Sequence, residues 1–203
     1  YIMEILNKDL RLLLEQGKKV KLHLGSGSSL KTGYYNLDII RLQGVDIIAD
    51  MNQPLDLIPD NSVSCVYTQH ALEHIKNLQG LMQELSRICC SDAIITIVVP
   101  HFSNPYYYSD PTHIRPFGLY SMSYFVNEED QLFKRKVPAY YTNTRFKLLD
   151  TRLFFYRTSL IDRILVPIIR FIVNLNNSTK EIYERRWPWL YPAWQIKYTL
   201  RVK

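Results

Sequence analysis

A continuous apolar segment, residues 93–99 (Ala-Ile-Ile-Thr-Ile-Val-Val), most constrains the fold of this chain. A run of this length that ends at a proline is typical of a strand buried on both faces, as in parallel sheets covered by helices. Before it, strand patterns alternate with helical ones. Strands are predicted at 20–24, 34–40, 45–49 and 62–68, and helices at 2–16 and 70–89. This alternation predicts an α/β fold with a mainly parallel sheet.

The pattern changes after Pro100. Residues 101–118 are predicted to form a loop, and two late strands are predicted at 145–156 and 194–202. Between them, residues 158–175 carry a helical apolar stripe that Pro167 is expected to bound or kink. At 203 residues the chain is expected to form one domain.

The first crossover of the predicted sheet is short. Only about eight residues separate Gly25 from Tyr34, whereas a parallel crossover usually takes a dozen or more and contains a helix. We therefore expect the first helix of the sheet to be one turn long or absent. The N-terminal helix, which Gly17 ends, would cover that face instead.

Composition narrows the class of protein. The three cysteines (Cys65, Cys89 and Cys90) are too few for a disulfide framework, and no Cys-x-x-Cys pair offers a thiolate zinc site. A reducing, cytoplasmic location is therefore predicted. The sequence has no uncharged apolar run of the length that crosses a membrane.

The formal net charge of +6 is concentrated in the last third of the chain. From Lys134 onward there are 15 Lys and Arg residues against four acids. Such an excess indicates an anionic partner, and a solvated basic face is the simplest alternative. The tail 152–203 interleaves these charges with aromatic residues and an amphipathic stripe. A core-facing helix is the favoured interpretation, peripheral membrane contact is a second, and nucleic-acid binding is the least favoured.

Polar and small residues follow each of the first four predicted strands. Gly25-Ser26-Gly27 allows close backbone approach to a ligand, and Asp38 is placed to accept both hydroxyls of a ribose. Asp50 is placed for the exocyclic amine of a purine, and Gln69 and His70 follow the fourth strand. Since parallel strands end at one edge of a sheet, these groups should meet there. A tight turn with two incidental acids is the structural alternative.

A nicotinamide-binding fold is the rival for a glycine loop followed by an acid. That fold requires Gly-x-Gly-x-x-Gly at the start of a full helix. Here Gly33 lies too far along the chain, and the helix is missing. The dehydrogenase interpretation is therefore disfavoured.

The chain resembles the class I S-adenosylmethionine-dependent methyltransferases of the small-molecule type. The resemblance rests on Leu24–Ser28, Asn36–Asp38, Asp50–Met51 and Val66–His74, and it covers about residues 18–125. It implies a Rossmann-like sheet closed by a C-terminal antiparallel hairpin, with S-adenosylmethionine as cofactor. By this resemblance the glycine loop holds the methionine moiety, Asp38 the ribose and Asp50 the adenine. The implied cofactor-binding residues are His23, Leu24, Gly25, Ser26, Gly27, Asp38, Asp50, Met51, Gln69 and His70.

A second constellation follows the 93–99 strand. His113 is predicted to be the general base, Asp110 to orient it, and His101 is the other candidate. Arg115 would anchor an anionic acceptor, with Tyr106 and Tyr107 beside it. The structural alternative is an ion pair between Asp110 and Arg115 that shapes the loop.

The string Asp110-Pro-Thr-His-Ile-Arg-Pro-Phe117 is similar to a segment of bacterial methyltransferases encoded with surface-polysaccharide genes. That similarity implies O-methylation of a saccharide or related small metabolite. A non-catalytic S-adenosylmethionine-binding module of a larger glycan-assembly protein is the alternative. The predicted organisation is an N-terminal helix (1–17), a cofactor-binding core (18–125) and a substrate-side insertion with closing strands (126–203).

No metal is expected. His70 and His74 are spaced i, i+4 on the predicted helix, which is compatible with zinc, but Glu73 does not occupy the His-Glu-x-x-His position. Sulfonium chemistry itself needs no Lewis acid.

Overall fold

Eight strands form one mixed sheet in the computed structural model, which describes residues 2–138, 140 and 142–203. The strands are β1 (Glu4–Ile5), β2 (Val20–Leu24), β3 (Tyr35–Asp38), β4 (Ile47–Ile48), β5 (Val63–Gln69), β6 (Cys89–Pro100), β7 (Phe146–Phe155) and β8 (Ala193–Val202). Across the sheet they lie in the order β1-β4-β3-β2-β5-β6-β8-β7. The five strands from β4 to β6 in this order are parallel, and β8 and β7 add an antiparallel hairpin. The α/β prediction and the closing hairpin are confirmed.

Four α-helices accompany the sheet in the described residues: α1 (Lys8–Glu15), α2 (Leu78–Ile88), α3 (Leu160–Val173) and α4 (Asn177–Arg186). Short 3-10 turns occupy Leu72–His74, Pro105–Ser109, Ser121–Phe125 and Glu128–Asp130. The crossover from β2 to β3 contains no helix, as its length predicted.

One face of the sheet is better covered than the other, because the first crossovers lack helices. Leu22, Val66 and Ile95 are fully buried, whereas Tyr67 and Thr96, which alternate with them, remain partly exposed. The expectation that 93–99 is buried on both faces was therefore wrong in detail. Ile95, Ile97 and Val99 lie in the core, while Ile94 and Thr96 line the more open face.

The N-terminal helix is shorter than predicted. Ile5 belongs to β1, which pairs with β4, and the Asn7 side chain then caps α1 by accepting from the Leu10 backbone N–H at 3.1 Å. A cap residue with this geometry ends the strand and starts the helix. Gly17 has a φ of +67° just after the helix, the left-handed conformation that glycine adopts freely. Tyr1 lies outside the described residues.

The helix predicted at 70–89 begins only at Leu78. Asn77 caps it by accepting from the Gly80 N–H at 3.0 Å, and Asn52 accepts from the Lys76 and Asn77 N–H groups. His70 has a φ of +52°, so the chain turns sharply at the end of β5. His70 and His74 therefore do not share the face of a helix.

The C-terminal third contains both predicted strands and one helix that was not predicted. Pro167 lies inside α3 rather than at its boundary. The helix α4 was missed because its sequence, Asn-Ser-Thr-Lys-Glu-Ile-Tyr-Glu-Arg-Arg, has almost no apolar periodicity. Of the helices in the described ranges, none has the length and apolar character needed to cross a membrane.

Candidate active site

The glycine loop at the end of β2 leaves no room for a side chain. Gly25 has a φ of +64°, and a Cβ built on it would lie 2.3 Å from the Ala71 Cβ. Met51 packs from another side, with its Cε 3.3 Å from the same point. The buried Ser26 hydroxyl has no hydrogen-bond partner among the described residues, so a ligand is the group available to satisfy it. The loop thus fits a closely approaching polar ligand.

Asp38, at the end of β3, is tied directly to this loop. One carboxylate oxygen accepts from the Gly27 N–H at 2.7 Å, and the other accepts from the Ile40 N–H at 3.0 Å. A carboxylate oxygen has more than one acceptor site, so these bonds leave capacity for ligand hydroxyls. Asp38 therefore fixes the loop and stays available to a ribose.

Asp50, after β4, joins two parts of the same edge. Its Oδ1 accepts from both the backbone N–H and the side-chain amide of Asn52, each at 2.9 Å. Asn52 in turn holds the backbone that starts α2. Asp50 thus lies at this edge, as predicted, within a network that positions its carboxylate.

A cavity of about 450 Å³ opens at the ends of β2 and β5. It brings together six predicted cofactor residues: His23, Gly25, Ser26, Gly27, Gln69 and His70. Leu24 is instead fully buried in the core. Burial lowers the pKa of His23, whose Nδ1 lies 3.1 Å from Asn36 Oδ1.

Lys31 also lines this cavity and was not predicted from the sequence. Its Nζ lies 4.1 Å from the centroid of the Tyr67 ring, a cation–π arrangement. Its backbone N–H donates to Asn36 Oδ1 at 3.0 Å. Among the described residues that line this cavity, Lys31 is the one lysine or arginine, which suits a ligand carboxylate. A single lysine in a loop gave no sequence signal.

Glu73 is the second residue that the sequence interpretation missed as part of the site. Its side chain is fully buried, and neither carboxylate oxygen has a hydrogen-bond partner among the described residues. Oε1 lies 3.5 Å from His70 Nδ1 and 3.9 Å from His113 Nε2. Because a buried carboxylate without hydrogen-bond partners is costly, this one is placed to interact with a ligand or with the two neighbouring histidines. It connects the cavity to the predicted base.

His113 has its two ring nitrogens in different environments. Nδ1 lies 2.8 Å from the Tyr107 carbonyl oxygen, so that nitrogen donates and Nε2 carries the lone pair of a neutral ring. Nε2 lies 3.7 Å from Asp110 Oδ2 and 3.9 Å from Glu73 Oε1. The Tyr107 ring stacks on the imidazole at 4.9 Å. Tyr107 thus orients the ring, a role that had been predicted for Asp110.

Asp110 is itself held by Thr112. The Thr112 hydroxyl and backbone N–H donate to Oδ1 at 2.6 and 2.8 Å, and these bonds hold the pKa of Asp110 below its usual range. Arg115 donates to the carbonyl oxygens of Ile75 and Lys76 rather than to Asp110. The ion pair between Asp110 and Arg115 that the sequence left open is therefore not formed.

His101 lies apart from this cluster. It is fully buried, with Nδ1 2.7 Å from the Ser103 hydroxyl and Nε2 3.1 Å from Glu184 Oε1. Both nitrogens are thus engaged by the protein itself, which suits a residue that holds the loop after β6 together. The structure does not bring His101 to the base position beside His113.

An aromatic row leads away from the cavity along the carboxyl edge. His70 stacks on Trp194 with ring centroids 6.3 Å apart, and Trp194 stacks on Tyr156 at 5.0 Å. Tyr156 meets Tyr106 edge-on at 5.5 Å. Tyr106 is 62% exposed, so the row ends at the surface. The predicted acceptor residue Tyr106 thus lies at the outer end of this row.

One set of side chains could hold a metal ion. Within the described ranges, ligand atoms of Glu73, His74 and His113 lie within 4.8 Å of one another. Two histidines and a carboxylate form a donor set that zinc and other divalent ions accept. The expectation of no metal stays a prediction.

Comparisons with known proteins give one matching domain family and a shared fold. Residues 22–97 match a family model described as a methyltransferase domain, and a comparison with curated protein sequences gave no significant match. Among solved structures, a SAM-dependent methyltransferase from Archaeoglobus fulgidus is similar at 15% identity, with a TM-score of 0.55 over 96% of this chain and 93% of that one.

Two further similar structures show how varied the chemistry on this fold is. The cyclase SpnF has 13% identity and a TM-score of 0.53 over 96% of this chain and 80% of its own. Phosphoethanolamine N-methyltransferase 2 of Haemonchus contortus has 11% identity and a TM-score of 0.50 over 97% of this chain and 53% of its own. These likenesses establish the fold, and the matched domain adds the activity. Residues 22–97 therefore carry a methyltransferase domain on this fold, which supports activity as a methyltransferase with S-adenosylmethionine as cofactor.

Proposed function

We propose that the enzyme methylates a hydroxyl oxygen of a saccharide or a related small metabolite. The observation that carries this proposal is the buried Glu73 carboxylate, which lies between His70 of the cofactor cavity and His113. A hydroxyl is a weak nucleophile at neutral pH, and this arrangement provides a base close to the cofactor.

The cavity residues would hold the cofactor. The glycine loop and Ser26 approach its amino-acid portion, Lys31 pairs with its carboxylate, and Asp38 accepts from its ribose hydroxyls. When bound, S-adenosylmethionine supplies a methyl group attached to a positively charged sulfur. The task of the chain is then to hold the acceptor oxygen in line with that methyl group.

His113 would take the proton of the acceptor. Its Nε2 carries the lone pair because Nδ1 donates to the Tyr107 carbonyl. His113 Nε2 would accept the hydroxyl proton as the acceptor oxygen took up the methyl group that bound S-adenosylmethionine would supply, which would leave the sulfur neutral. The resulting imidazolium lies 3.7 Å from Asp110 and 3.9 Å from Glu73, whose negative charges stabilise it.

The acceptor would lie along the aromatic row formed by Trp194, Tyr156 and Tyr106. The faces of these aromatic side chains would pack against the apolar face of a sugar ring, and their O–H and N–H groups would stay hydrated. Arg115 remains a proposed anchor for an anionic acceptor, although its present donors go to backbone carbonyls.

Acceptor class is tested with methyl-labelled S-adenosylmethionine. The purified chain is incubated with nucleotide-linked hexoses, free hexoses and, as the competing amine class, phosphoethanolamine. We expect label in a hexose as an alkali-stable ether. Label on the amine alone would overturn the proposal, and cofactor binding without transfer to any acceptor would favour the non-catalytic alternative.

Two variants test the proton transfer. His113→Asn and Glu73→Gln should lower turnover, His113→Asn by about 10²–10⁴-fold, with cofactor affinity in calorimetry unchanged. Full turnover by both variants on a confirmed acceptor would leave positioning as the source of catalysis.

A chelator separates proton transfer from metal catalysis at the same residues. We expect activity to survive extended dialysis against EDTA, because the attack on a sulfonium methyl needs no Lewis acid. The opposite result would be a loss of activity in EDTA that one divalent ion reverses in the parent but not in His74→Asn. It would assign Glu73, His74 and His113 as metal ligands.

A further inference from the structure

Helix α3 leaves most of its apolar side chains in solvent. Only Val166 and Val173 are buried, and Ile169 is packed partly against the core. The exposed fractions of the others range from 42% to 74%, for Leu160, Ile161, Ile164, Leu165, Ile168, Phe171, Ile172 and, in the turn after the helix, Leu175. At about 100° per residue they fall within an arc of about 140°. The core-facing interpretation of this stripe was therefore wrong.

The apolar surface continues onto α4. A groove of about 500 Å³ runs between the two helices and is lined by Ile169, Ile172, Val173, Thr179, Ile182, Tyr183, Trp187, Leu190 and Tyr191. Beside it Trp187, Trp189 and Leu190 are 52%, 65% and 76% exposed. We call this surface, formed by 160–175 and 182–190, the α3–α4 face. Continuous apolar surfaces of this kind mark interaction sites.

The exposed charges around the α3–α4 face have one sign. In residues 157–190 every exposed charged side chain is an arginine: Arg157, Arg163, Arg170, Arg185 and Arg186. This excess was visible in the sequence, but its position beside an uncovered apolar surface was not. Arginine at the border of an apolar surface is suited to phosphate groups.

The acids of the same segment are occupied inside the protein. Asp162 accepts from Thr158, Ser159 and the Tyr191 hydroxyl, and these bonds hold its pKa well below the usual range. Glu181 accepts from the Tyr120 hydroxyl, and Glu184 accepts from the Leu119 N–H. These neutral donors leave the three carboxylates charged, but five exposed arginines and Lys180 against three acids still give residues 157–190 a positive excess.

We propose that the α3–α4 face docks on an anionic phospholipid bilayer. The apolar arc of α3 would enter the acyl boundary, the tryptophans would lie at the interface, and the arginines would contact lipid phosphates. With 14 residues α3 is about 21 Å long, less than the hydrocarbon core of about 30 Å, so it would lie in the plane of the surface. A second copy of the chain would have to bring five more arginines against these five, which disfavours a self-complementary dimer.

Docking would bring the active-site edge to the membrane. The helix pair is inserted between the end of β7 and the start of β8, which pair at Phe155 and Ala193 beside the end of β6. Tyr156, directly after β7, and Trp194, the second residue of β8, belong to the aromatic row that reaches His70. The bilayer would therefore lie next to the acceptor side of the enzyme.

Vesicle flotation with the full chain tests the proposal. The two probes are vesicles of phosphatidylcholine alone and vesicles of equal parts phosphatidylcholine and phosphatidylglycerol. We expect the protein to float with the anionic vesicles and to be released by high salt in part only, since apolar contacts persist. Absence from both vesicle types would overturn the proposal.

Matched variants locate the contact. Ile164→Glu with Phe171→Glu should reduce anionic-vesicle binding by tenfold or more. Burial of even one large apolar side chain changes a binding constant by roughly that factor. Leu12→Glu, at a residue 54% exposed on α1, is the control and should bind like the parent. Arg163→Gln with Arg170→Gln should weaken binding by about fivefold per residue, whereas Lys18→Gln should not.

Two outcomes would overturn the assignment. Equal loss with Leu12→Glu would show that the contact is unspecific. A dimer that Ile164→Glu dissociates in analytical ultracentrifugation, without vesicle binding by the parent, would assign the face to a second copy. Circular dichroism of each variant is the control that checks whether it is folded. None of these measurements uses methyl transfer, so their outcome is independent of the proposed acceptor.

Discussion

Helices α2 and α3 both carry a clear apolar stripe, yet the structure covers only one of them. In α2 the stripe is buried against the sheet, with Leu81, Met82 and Leu85 at 1% exposure or less. In α3, Ile161 and Ile164 are 67% and 69% exposed. The comparison teaches that periodicity predicts a face of a helix, while the neighbouring elements decide what covers it.

The reason for the difference lies in connectivity. The helix α2 joins the parallel strands β5 and β6, so the crossover itself presses its stripe onto the sheet. The helix α3 follows the edge strand β7, where the sheet ends. The α3 side chains that pack against the core are Val166, Ile169 and Val173, and the wider apolar arc faces solvent.

The largest expected effect contrasts the two stripes directly. Leu85→Ala in α2 should lower the free energy of unfolding by about 2–5 kcal/mol, because it leaves a cavity in the core. Ile164→Ala in α3 should change it by no more than about 0.5 kcal/mol. Denaturant unfolding measures both. Equal losses would mean that the arc of α3 is buried in solution.

A second contrast lies within the glycine loop after β2, where one glycine is tightly packed and another is not. Gly25→Ala would force a methyl group against Ala71, which should cost about 1–3 kcal/mol of stability and abolish tight cofactor binding. Gly33→Ala is the matched control, since nothing lies within 4 Å of its added Cβ although its φ is also positive. Calorimetry with S-adenosylmethionine measures the cofactor affinity of both variants. Normal binding by Gly25→Ala would remove the loop from the cofactor site.

Asp38 gives a smaller effect in the same region. Asp38→Asn removes the charge that accepts from Gly27 and, in the proposed complex, from the ribose hydroxyls, which should weaken cofactor binding by about 1–3 kcal/mol. Asp56→Asn, at an exposed acid outside the cavity, should bind like the parent. Unchanged affinity in the Asp38 variant would separate this carboxylate from the ribose.

The smallest effect depends on pH. Burial lowers the pKa of His23 below 6.5, so on acidification the unfolded chain takes up a proton that the folded ring resists. Its contribution to stability is therefore full above about pH 6.5 and is lost as the pH falls. His23→Phe should lose less stability than the parent between pH 7 and pH 5. Parallel profiles of the two proteins in denaturant unfolding would contradict this.

Much of the cofactor half could be predicted from the sequence, because its signals are local. Strand periodicity placed β2, β5 and β6, and a glycine or an acid at the end of each early strand must meet the others once the strands run parallel. The missing first helix followed from loop length alone. The errors there are at element ends, where Asn7 and Asn77 start helices later than the apolar pattern suggested.

The rest was decided by contacts between segments far apart in the chain. Glu73 could be recognised as a site residue only once folding had buried it between His70 and His113, and His101 could be set apart only once Glu184 reached its ring. Likewise, nothing within residues 160–175 distinguishes a stripe that meets a sheet from one that meets solvent. By itself the sequence determined which side chains are apolar, charged or able to turn the chain, since those are properties of residues and their neighbours. Only the tertiary structure decided which of them are buried together, because burial depends on what else occupies the surrounding space.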